Sequence, residues 1–380
     1  MHKKYKPLFY LDPNVTYLNH GSFGACPRII FDSLIKFQKQ LEFEPVNFLF
    51  SDLFDYLKDS RSSLSNYINC DRDDVAFFPN PSTALNTLIR SLDLNKGDQI
   101  LTTNHEYGAL DRTWNFISIK TGCEYVKLEI EIPFLDKQKF IDSFKNSINS
   151  KTKVIFLSHI TSATALIFPV KEIIELAKQK NILTIIDGAH VPAHIDLDIK
   201  KLDPDFYCGA CHKWMCSPKG SAFLYVKKEY QKMIEPLVVS WGYEAENPSD
   251  SQYLDYMQWQ GTNDMSAYLT VPDTIKFLNE HNWIDKAKKC RELNLWAKNE
   301  ICEKLNTYAL GNDDSLAQMT TIAYDFEDVI NSKIDFYNKY KIQVPFVKWN
   351  DKTFFRISFQ VYNSKDDIRY LIESLIDFKK

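Results

Sequence analysis

The middle of the chain combines an amine, a carboxylate and two imidazoles. Asp187 and His190 follow an apolar run, and His212 directly precedes Lys213 in a second apolar, aromatic stretch. A lysine amine forms an imine with an aldehyde, and a carboxylate pairs with a protonated ring nitrogen. Partial desolvation would lower the pKa of the lysine and favour that chemistry. Together the four residues predict a site for pyridoxal phosphate, with Lys213 at the aldehyde and Asp187 at the ring nitrogen.

Each of these residues also has an ordinary structural role. Asp187 alone could cap the loop or helix that follows it, and most lysines are simply solvated. Zinc is a further alternative, because Cys208 and Cys211 have CxxC spacing and are followed by His212 and Cys216. The sequence has no second CxxC pair, so we expect no metal site. We expect the eight cysteines to be reduced, inert thiols.

Two further segments follow predicted strands and could contact the same ligand. The segment 80–86 begins a helix, and the backbone amides and hydroxyls of Ser82 and Thr83 could face a phosphate. An ordinary helix cap is the alternative. Tyr107 follows the next strand and could stack on a planar ring. The alternative for Tyr107 is a core aromatic, in a chain with 20 tyrosines.

Apolar runs separated by helices predict an α/β fold with a mainly parallel sheet covered on both faces. Ligands of such sheets bind beyond the carboxyl ends of the strands, where Asp187 is placed. The predicted strands are 75–78, 99–102, 153–157, 182–187 and 221–226, with helices from about 81 and from 170 to 179. A helical stretch from about 265 to 305, strands at 319–324 and 354–359 and a helix from about 365 follow. We therefore predict an N-terminal arm (1–25), a large domain (26–265) and a smaller α+β domain (266–380).

Composition narrows the class of protein. The chain has 380 residues, 44% of them hydrophobic and 25% charged, which is typical of a globular protein with a large core. A formal net charge of −4 gives no basic surface for nucleic acid. No apolar run approaches the ~18 residues of a membrane helix, and no signal peptide is evident at the start. We expect a cytoplasmic protein with no nucleic-acid or membrane partner.

Several motifs resemble one family. They are Tyr17–Gly24, Asn104–Ala109, the Asp187 and Lys213 segments, Val238–Gly242 and Trp259–Thr262. The set resembles the class V aminotransferase family of fold-type I pyridoxal phosphate enzymes, and within it the isopenicillin N epimerase-like subgroup. The resemblance runs from about residue 15 to 375. It implies a seven-stranded-type, mainly parallel sheet in the large domain, and a homodimer whose sites lie at the subunit interface.

The resemblance also implies roles for individual residues. Lys213 would form the Schiff base and shuttle the Cα proton, and Tyr107 would stack on the ring. Epimerisation would in addition need a second acid on the other face, either Tyr107 or a residue of the neighbouring subunit. Asp187 would pair with the ring nitrogen and Arg356 would bind the substrate carboxylate, for which a planar guanidinium is well suited. A structural ion pair is the alternative for Arg356. The remaining cofactor contacts would be His190, Ser82, Thr83, His212, Ser162, Gly261 and Thr262, and the remaining substrate contacts Asn19 and His20.

Two departures from the family pattern restrict the reaction. Ala210 stands where many relatives have a Ser or Thr phosphate ligand, so phosphate contacts are expected to be fewer. The segment 342–349, before Arg356, contains no Cys. A cysteine desulfurase needs a nucleophilic Cys in that loop, so desulfurase activity is not expected.

The expected function is a pyridoxal phosphate enzyme acting at Cα or Cβ of an amino acid or its derivative. Epimerisation and carbon–sulfur lysis share the first step, removal of the Cα proton, and the class V aminotransferase reaction is the alternative. A non-catalytic scaffold has no physical need for Lys213, Asp187 and Arg356 together. A Rossmann dehydrogenase does not fit, because no GxGxxG follows the first strand.

Overall fold

A seven-stranded sheet forms the centre of the computed structural model, which describes residues 1–379. The strands of the described chain, in order, are β1 Thr16–Tyr17, β2 Val75–Phe78, β3 Gln99–Thr103, β4 Glu124–Leu128, β5 Thr152–Ser158, β6 Leu183–Gly188, β7 Phe206–Ala210, β8 Ala222–Val226, β9 Met319–Ala323, β10 Ile342–Gln343, β11 Phe346–Trp349 and β12 Lys352–Ser358. The central sheet has the order β2-β8-β7-β6-β5-β3-β4. Its strands β4, β3, β5, β6 and β7 are parallel, and β8 and β2 run antiparallel to their neighbours. The predicted α/β fold with a mainly parallel sheet is confirmed.

Helices cover both faces of this sheet, which explains why its inner strands are apolar on both sides. The α-helices of four residues or more within the described chain are His2–Tyr5, His20–Phe23, Arg28–Phe43, Leu53–Ile68, Pro81–Ser91, Gly108–Thr121, Lys137–Ser147, Val170–Lys178, Ile199–Leu202, Gln252–Gln258, Ser266–Leu269, Val271–Glu280, Trp283–Leu305, Val329–Tyr340 and Lys365–Phe378. Buried residues form a large cluster and a smaller one. The smaller cluster lies around Pro81–Ser91 and Gly108–Thr121, the two helices whose starts face the candidate site.

The C-terminal part of the chain adds a second, antiparallel sheet with the order β11-β12-β9. The arm at the N-terminus joins this part, because β1 pairs in parallel with β10 and Asn19 bridges to Ser358. Residues next to the arm are thereby held beside β12, which carries Arg356.

The structure differs from the sequence prediction in several elements, among them the short strands β1, β10 and β11, which were not predicted. The stretch 265–305 is not one helix but three, because Pro272 starts a new helix and Asn282 adopts a left-handed backbone with φ +48°. Strand β4 was not predicted; it lies at the sheet edge, half-exposed and partly charged. Strand β7 was not predicted either, although its residues are fully buried.

The described residues 1–379 contain no helix with the length and apolar character needed to cross a bilayer. The eight cysteines are all free thiols. In the same described range no three His, Cys, Asp or Glu side chains converge as they would around a metal ion.

Candidate active site

A cavity of about 900 Å³ opens beyond the carboxyl ends of β5 and β6. Its wall contains Lys213, Asp187, His190, Arg356 and Tyr107. Ser82, Ser162 and His212, which were also predicted for the site, contribute to the same wall. Residues from the arm, the central sheet and the C-terminal sheet therefore meet at one place, as ligand sites in open α/β sheets do.

Lys213 lies in the loop between the antiparallel strands β7 and β8. Its amine is 3.1 Å from Nε2 of His190. Burial lowers the pKa of Lys213 to about 8, against the opposing effect of the Asp187 carboxylate. The amine therefore exists partly unprotonated near neutral pH, which is the form that attacks an aldehyde.

Asp187 ends β6 as a buried carboxylate, 5% exposed, whose Oδ1 accepts a hydrogen bond from the Ala189 backbone amide at 2.9 Å. No Lys, Arg or His nitrogen within residues 1–379 forms a salt bridge with it, and burial raises its pKa. A buried carboxylate of this kind is costly unless a cation meets it. A protonated pyridine nitrogen in the cavity would supply that cation.

The predicted phosphate end of the site is built differently from the expectation. Asn80 caps the helix Pro81–Ser91, and its Oδ1 accepts hydrogen bonds from the Thr83 amide at 2.8 Å and the Thr83 hydroxyl at 3.1 Å. Thr83 thus serves the cap, whereas Ser82 lines the cavity. The prediction that the amides and hydroxyls of both residues face an anion needs correction for Thr83, because the cap already uses its donors.

His212 donates from Nδ1 to the backbone oxygen of Ser221 at 2.7 Å, since a carbonyl oxygen can only accept. Burial and the nearby Lys213 lower the pKa of His212 to about 4. The neutral ring therefore presents a lone pair at Nε2, and it must gain a proton to donate there to a phosphate oxygen.

Tyr107 precedes the helix Gly108–Thr121 and is 47% exposed. The alternative of an ordinary core aromatic is therefore wrong. An exposed aromatic ring at a cavity wall is available to stack on a planar ligand.

Arg356 on β12 is buried, 4% exposed, and contacts only neutral groups. It donates to the backbone oxygen of Ser162, to the Ser22 hydroxyl at 2.9 Å and to Asn19 Oδ1 at 3.4 Å. Its Nε has no hydrogen-bond partner within residues 1–379, nor does any carboxylate there form a salt bridge with it. The structural ion pair considered for Arg356 is therefore absent from the described chain, and an unpaired guanidinium faces the cavity.

His20 was predicted to contact the substrate, but it is fully buried behind the Lys213 loop. Its Nε2 donates to the backbone oxygen of Lys213 at 3.1 Å, and its Nδ1 lies 2.7 Å from the Tyr362 hydroxyl. His20 therefore supports the lysine backbone instead of lining the cavity. Asn19 likewise contacts Arg356 and the Ser22 hydroxyl.

Gly261 and Thr262 do not reach the Lys213 cavity of their own chain. They line a separate cavity of about 1060 Å³, together with Trp241. Trp241 is 87% exposed, and Gly261 has a left-handed backbone with φ +108°.

Glu106, for which no role was predicted, also lines the cavity. Its carboxylate accepts hydrogen bonds from Thr103 and Ser158, and burial raises its pKa to about 8. Its position directly before Tyr107, within the motif Asn104–Ala109, could have indicated that Glu106 lies at the site. Its partner Ser158, however, lies 52 residues further along the chain.

The residues at the cavity fit pyridoxal phosphate. The donor set comprises an amine of lowered pKa, an unpaired buried carboxylate, an exposed aromatic ring and an unpaired guanidinium. The three ionisable groups form no salt bridge within residues 1–379, and the aromatic ring is exposed. The cofactor and its amino-acid substrate would supply opposite charges for the former and a planar ring for the latter.

Comparison with known proteins agrees with this chemistry. Residues 49–371 match the family described as aminotransferase class-V. Isopenicillin N epimerase of Amycolatopsis lactamdurans is 28% identical over 385 residues, covering 97% of this chain and 96% of the relative. The probable chloroplastic L-cysteine desulfhydrase of Arabidopsis thaliana is 27% identical over 399 residues, covering 96% and 83%.

Among solved structures, a lysine-to-alanine variant of C-DES with glycine covalently linked to its PLP cofactor superposes with a TM-score of 0.84. The sequence identity is 18%, and the match covers 100% of this chain and 99% of the other. At this identity the likeness shows the fold, which is that of the fold-type I pyridoxal phosphate enzymes.

Proposed function

We propose that this chain, which belongs to the class V aminotransferase family, is a pyridoxal phosphate enzyme that acts at Cα or Cβ of an amino acid or its derivative. The chemistry is epimerisation or carbon–sulfur lysis. One observation carries the proposal: the buried Asp187 and Arg356 and the half-buried Lys213 lie around one cavity and form no salt bridge within residues 1–379. The two similar relatives, an isopenicillin N epimerase and a probable L-cysteine desulfhydrase, support the same two reactions.

Each of the three charged residues has a defined task in this proposal. Lys213 would hold the cofactor aldehyde and, once the substrate amine has displaced it, its free amine would remove the Cα proton, for which a pKa of about 8 is well suited near neutral pH. Asp187 keeps the ring nitrogen protonated. Arg356 binds the α-carboxylate and so fixes the Cα–H bond beside Lys213. When bound, pyridoxal phosphate supplies an electron sink for the negative charge that develops at Cα.

The other cavity residues bind and orient. Ser82 and His212 are proposed to hold the phosphate, His190 to contact the phenolic oxygen and Ser162 to fix Arg356. Tyr107 lines the cavity with a half-exposed ring, and its hydroxyl is the proposed second proton donor for epimerisation.

A cysteine desulfurase is disfavoured by the wall of the cavity. Pro345 and Val347 line it where the persulfide-forming loop is expected, and no cysteine of the described chain lies in the wall. Burial also raises the pKa of Cys211 and Cys216, the thiols nearest in sequence to Lys213, so neither is an activated nucleophile.

The cofactor is tested by borohydride reduction of the cofactor-loaded chain, followed by peptide mass spectrometry. The mass increase should fall on Lys213, and Lys213→Ala should lose both the visible absorbance band and the mass increase. Lys227→Ala is the matched control, because Lys227 pairs with Asp203 and Glu229 outside the cavity. Equal labelling of wild type and Lys213→Ala would refute the proposal.

The reaction is tested on a panel of L- and D-amino acids and cysteine derivatives in heavy water. Cα exchange with inversion and no pyruvate identifies an epimerase, whereas pyruvate and ammonia identify a lyase. Amino-group transfer to a 2-oxo acid identifies an aminotransferase. Bound cofactor with no Cα exchange across the panel would refute the enzymatic proposal and favour a non-catalytic scaffold.

We further propose that the chain forms a homodimer in which Gly261 and Thr262 reach the phosphate of the other subunit. Support comes from their position in a cavity beside the exposed Trp241, away from Lys213 of their own chain. Sedimentation should give a dimer, and Thr262→Ala should weaken cofactor binding. A monomer with full cofactor affinity would contradict this.

We also propose a cytoplasmic location, which cell fractionation tests.

A further inference from the structure

A row of hydrogen bonds runs behind the amine of Lys213. The indole Nε1 of Trp214 lies 3.3 Å from Nδ1 of His190, and Nε2 of His190 lies 3.1 Å from Nζ of Lys213. Trp214 is fully buried and His190 is 2% exposed, so bulk water does not compete for the contact between these two rings.

The chemistry of the indole fixes the direction of the whole row. An indole N–H can only donate, so Nδ1 of His190 must accept. A neutral imidazole that accepts at Nδ1 carries its proton on Nε2. His190 therefore donates from Nε2 toward the cavity, and the Lys213 amine can only accept that hydrogen bond through its lone pair.

Two histidine rings pack against the indole of Trp214. His194 stacks on it with ring centroids 3.6 Å apart and an interplanar angle of 11°, and His20 packs at 5.0 Å. Two hydrogen bonds fix the His194 ring. Its Nε2 accepts from the Gln318 backbone N–H at 2.8 Å, and its Nδ1 donates to the His190 backbone oxygen at 2.7 Å. The indole therefore has one orientation in which its N–H points at His190.

We propose that Trp214 is a positioning residue that holds His190 as the Nε2–H tautomer. Before the cofactor binds, this tautomer favours the unprotonated amine of Lys213. Once the cofactor is bound, which rests on the proposed function above, the same Nε2–H points at the phenolic oxygen as a hydrogen-bond donor. Trp214 touches neither cofactor nor substrate and acts only through His190.

Other charges also act on the amine, and they define what the test must hold constant. Asp187 and Cys208 favour the protonated amine, whereas Arg356 favours the unprotonated one. His212 lies close enough to feel the lysine charge. None of these four groups contacts the indole N–H, so a substitution that removes only that N–H reports on the His190 tautomer.

Trp214→Phe is the test variant, because phenylalanine keeps an aromatic ring against His194 and lacks the N–H. Trp114→Phe is the matched control, since Trp114 is fully buried and its Nε1 has no hydrogen-bond partner within residues 1–379. Without the N–H, Nε2 of His190 is free to accept from a protonated lysine, so the apparent pKa of the Lys213 amine should rise.

The amine pKa is measured in the full-length, cofactor-free chain from the pH dependence of acetylation at Lys213, quantified by mass spectrometry. Trp214→Phe should raise it by roughly half a unit to one unit, the size expected of one hydrogen bond, which slows labelling at pH 7 about three- to tenfold. In the cofactor-loaded chain, the pH at which the visible band of the lysine-bound cofactor changes should also rise. Trp114→Phe should shift neither value.

A folded Trp214→Phe with both pH values unchanged would overturn the proposal. The tautomer is also read directly in the wild type by ¹⁵N-histidine NMR, with His190 assigned by His190→Gln. A proton on Nδ1, or on both nitrogens near neutral pH, would overturn it even if Trp214→Phe failed to fold. Failure to bind cofactor would instead refute the proposed function and leave the cofactor-free measurements valid.

Discussion

Glu106 and Ser158 are joined by two hydrogen bonds beneath the cavity, both to Oε2 of the carboxylate. One comes from the Ser158 backbone amide at 2.9 Å and the other from its hydroxyl at 2.6 Å. Ser158 stands beside Asp187 in the parallel register of β5 and β6. Burial raises the pKa of Glu106 to about 8, although both hydrogen bonds oppose the shift. Two carboxylates thus share one buried floor, and ionising both is unfavourable.

The pKa of Glu106 predicts how the stability of the cofactor-free protein depends on pH. The folded value of about 8 exceeds the ordinary 4.5, so the folded state binds more protons than the unfolded state between these values. The contribution of Glu106 to the free energy of unfolding should therefore fall as pH rises, by about 1–2 kcal/mol between pH 6.5 and 8. Urea unfolding of the wild type and of Glu106→Gln at several pH values measures this contribution as the difference between their two slopes.

Glu106→Gln isolates the contribution of this carboxyl group. The amide keeps a carbonyl oxygen for Ser158, and the Thr103 hydroxyl can turn to accept from the new NH₂ group. Between pH 6.5 and 8 the free energy of unfolding should fall more with rising pH, or rise less, in the wild type than in Glu106→Gln. Buried histidines such as His20 and His194, whose pKa values burial lowers to about 3, act in the opposite direction in this range, because their unfolded rings still bind protons near pH 6.5. They are present in both proteins, so their effect cancels in the difference. Equal slopes in the two proteins would show that Glu106 is ionised throughout.

Arg356 is expected to control recognition of the substrate carboxylate. Arg356→Gln should lower kcat/KM for amino acids by about 100-fold or more, because two charge-assisted hydrogen bonds are lost. The rate of Cα exchange in heavy water measures it. Arg356→Lys should recover only part of the loss, since an ammonium cannot bind bidentately.

Two controls separate binding from folding in that experiment. Arg369→Gln removes an exposed guanidinium that pairs with Asp366, and it should leave kcat/KM unchanged. A primary amine that lacks the carboxylate should react at the same slow rate with wild type and Arg356→Gln. A uniform loss on both substrates would mean that Arg356 supports the fold and does not bind the carboxylate.

The parts of the fold that were predictable are those with a strong local pattern. Strand β6 is a continuous apolar run before Asp187, which is typical of a parallel strand buried on both faces. Strand β4 was not predicted because Glu124 and Lys127 interrupt its apolar pattern at an exposed sheet edge. Strand β7 was not predicted because its Cys-Gly-Ala end has weak strand propensity and resembles part of a metal-binding motif.

The site was predictable in its charged residues and not in its orientations. Lys213, Asp187 and Arg356 could be identified by type and motif, and the structure brings them to one cavity. Motifs do not tell which way a side chain points, so His20 and Thr83 were assigned to ligands although both serve the backbone or a cap. The tautomer of His190 depends on contacts with neighbours that no local pattern links.

Tyr107 allows stacking and proton transfer to be separated. Tyr107→Phe keeps the ring, so cofactor affinity should be unchanged, whereas Tyr107→Ala should weaken it by about three- to tenfold, as expected for a lost aromatic contact. Equilibrium titration with pyridoxal phosphate measures both.

The same pair of variants tests the hydroxyl as second proton donor. If the enzyme is an epimerase, Tyr107→Phe should still exchange the Cα proton but retain configuration. Equal inversion by Tyr107→Phe and wild type would assign the second proton to another group. Tyr243→Phe, outside the cavity wall, is a matched control that should have no effect on either measurement.

Gly24 fixes the backbone of the Lys213 loop, and no larger residue should replace it. A Cβ at this position would lie 2.2 Å from the His212 backbone oxygen and 2.7 Å from that of Lys213, and φ is +69°. Neither oxygen can move without moving the lysine. Gly24→Ala should therefore destabilise the protein by about 2–5 kcal/mol, from backbone strain and steric overlap together, and should abolish covalent cofactor binding.

Gly97→Ala separates strain from overlap, because Gly97 has a similar φ of +89° but open space around its Cα. Only the backbone cost of about 1 kcal/mol should apply there, with cofactor binding intact. Urea unfolding and absorbance of the reconstituted proteins measure both effects. If the two variants were equally stable and bound cofactor equally well, the close packing of the arm against the lysine loop would be refuted. The arm would then not position Lys213.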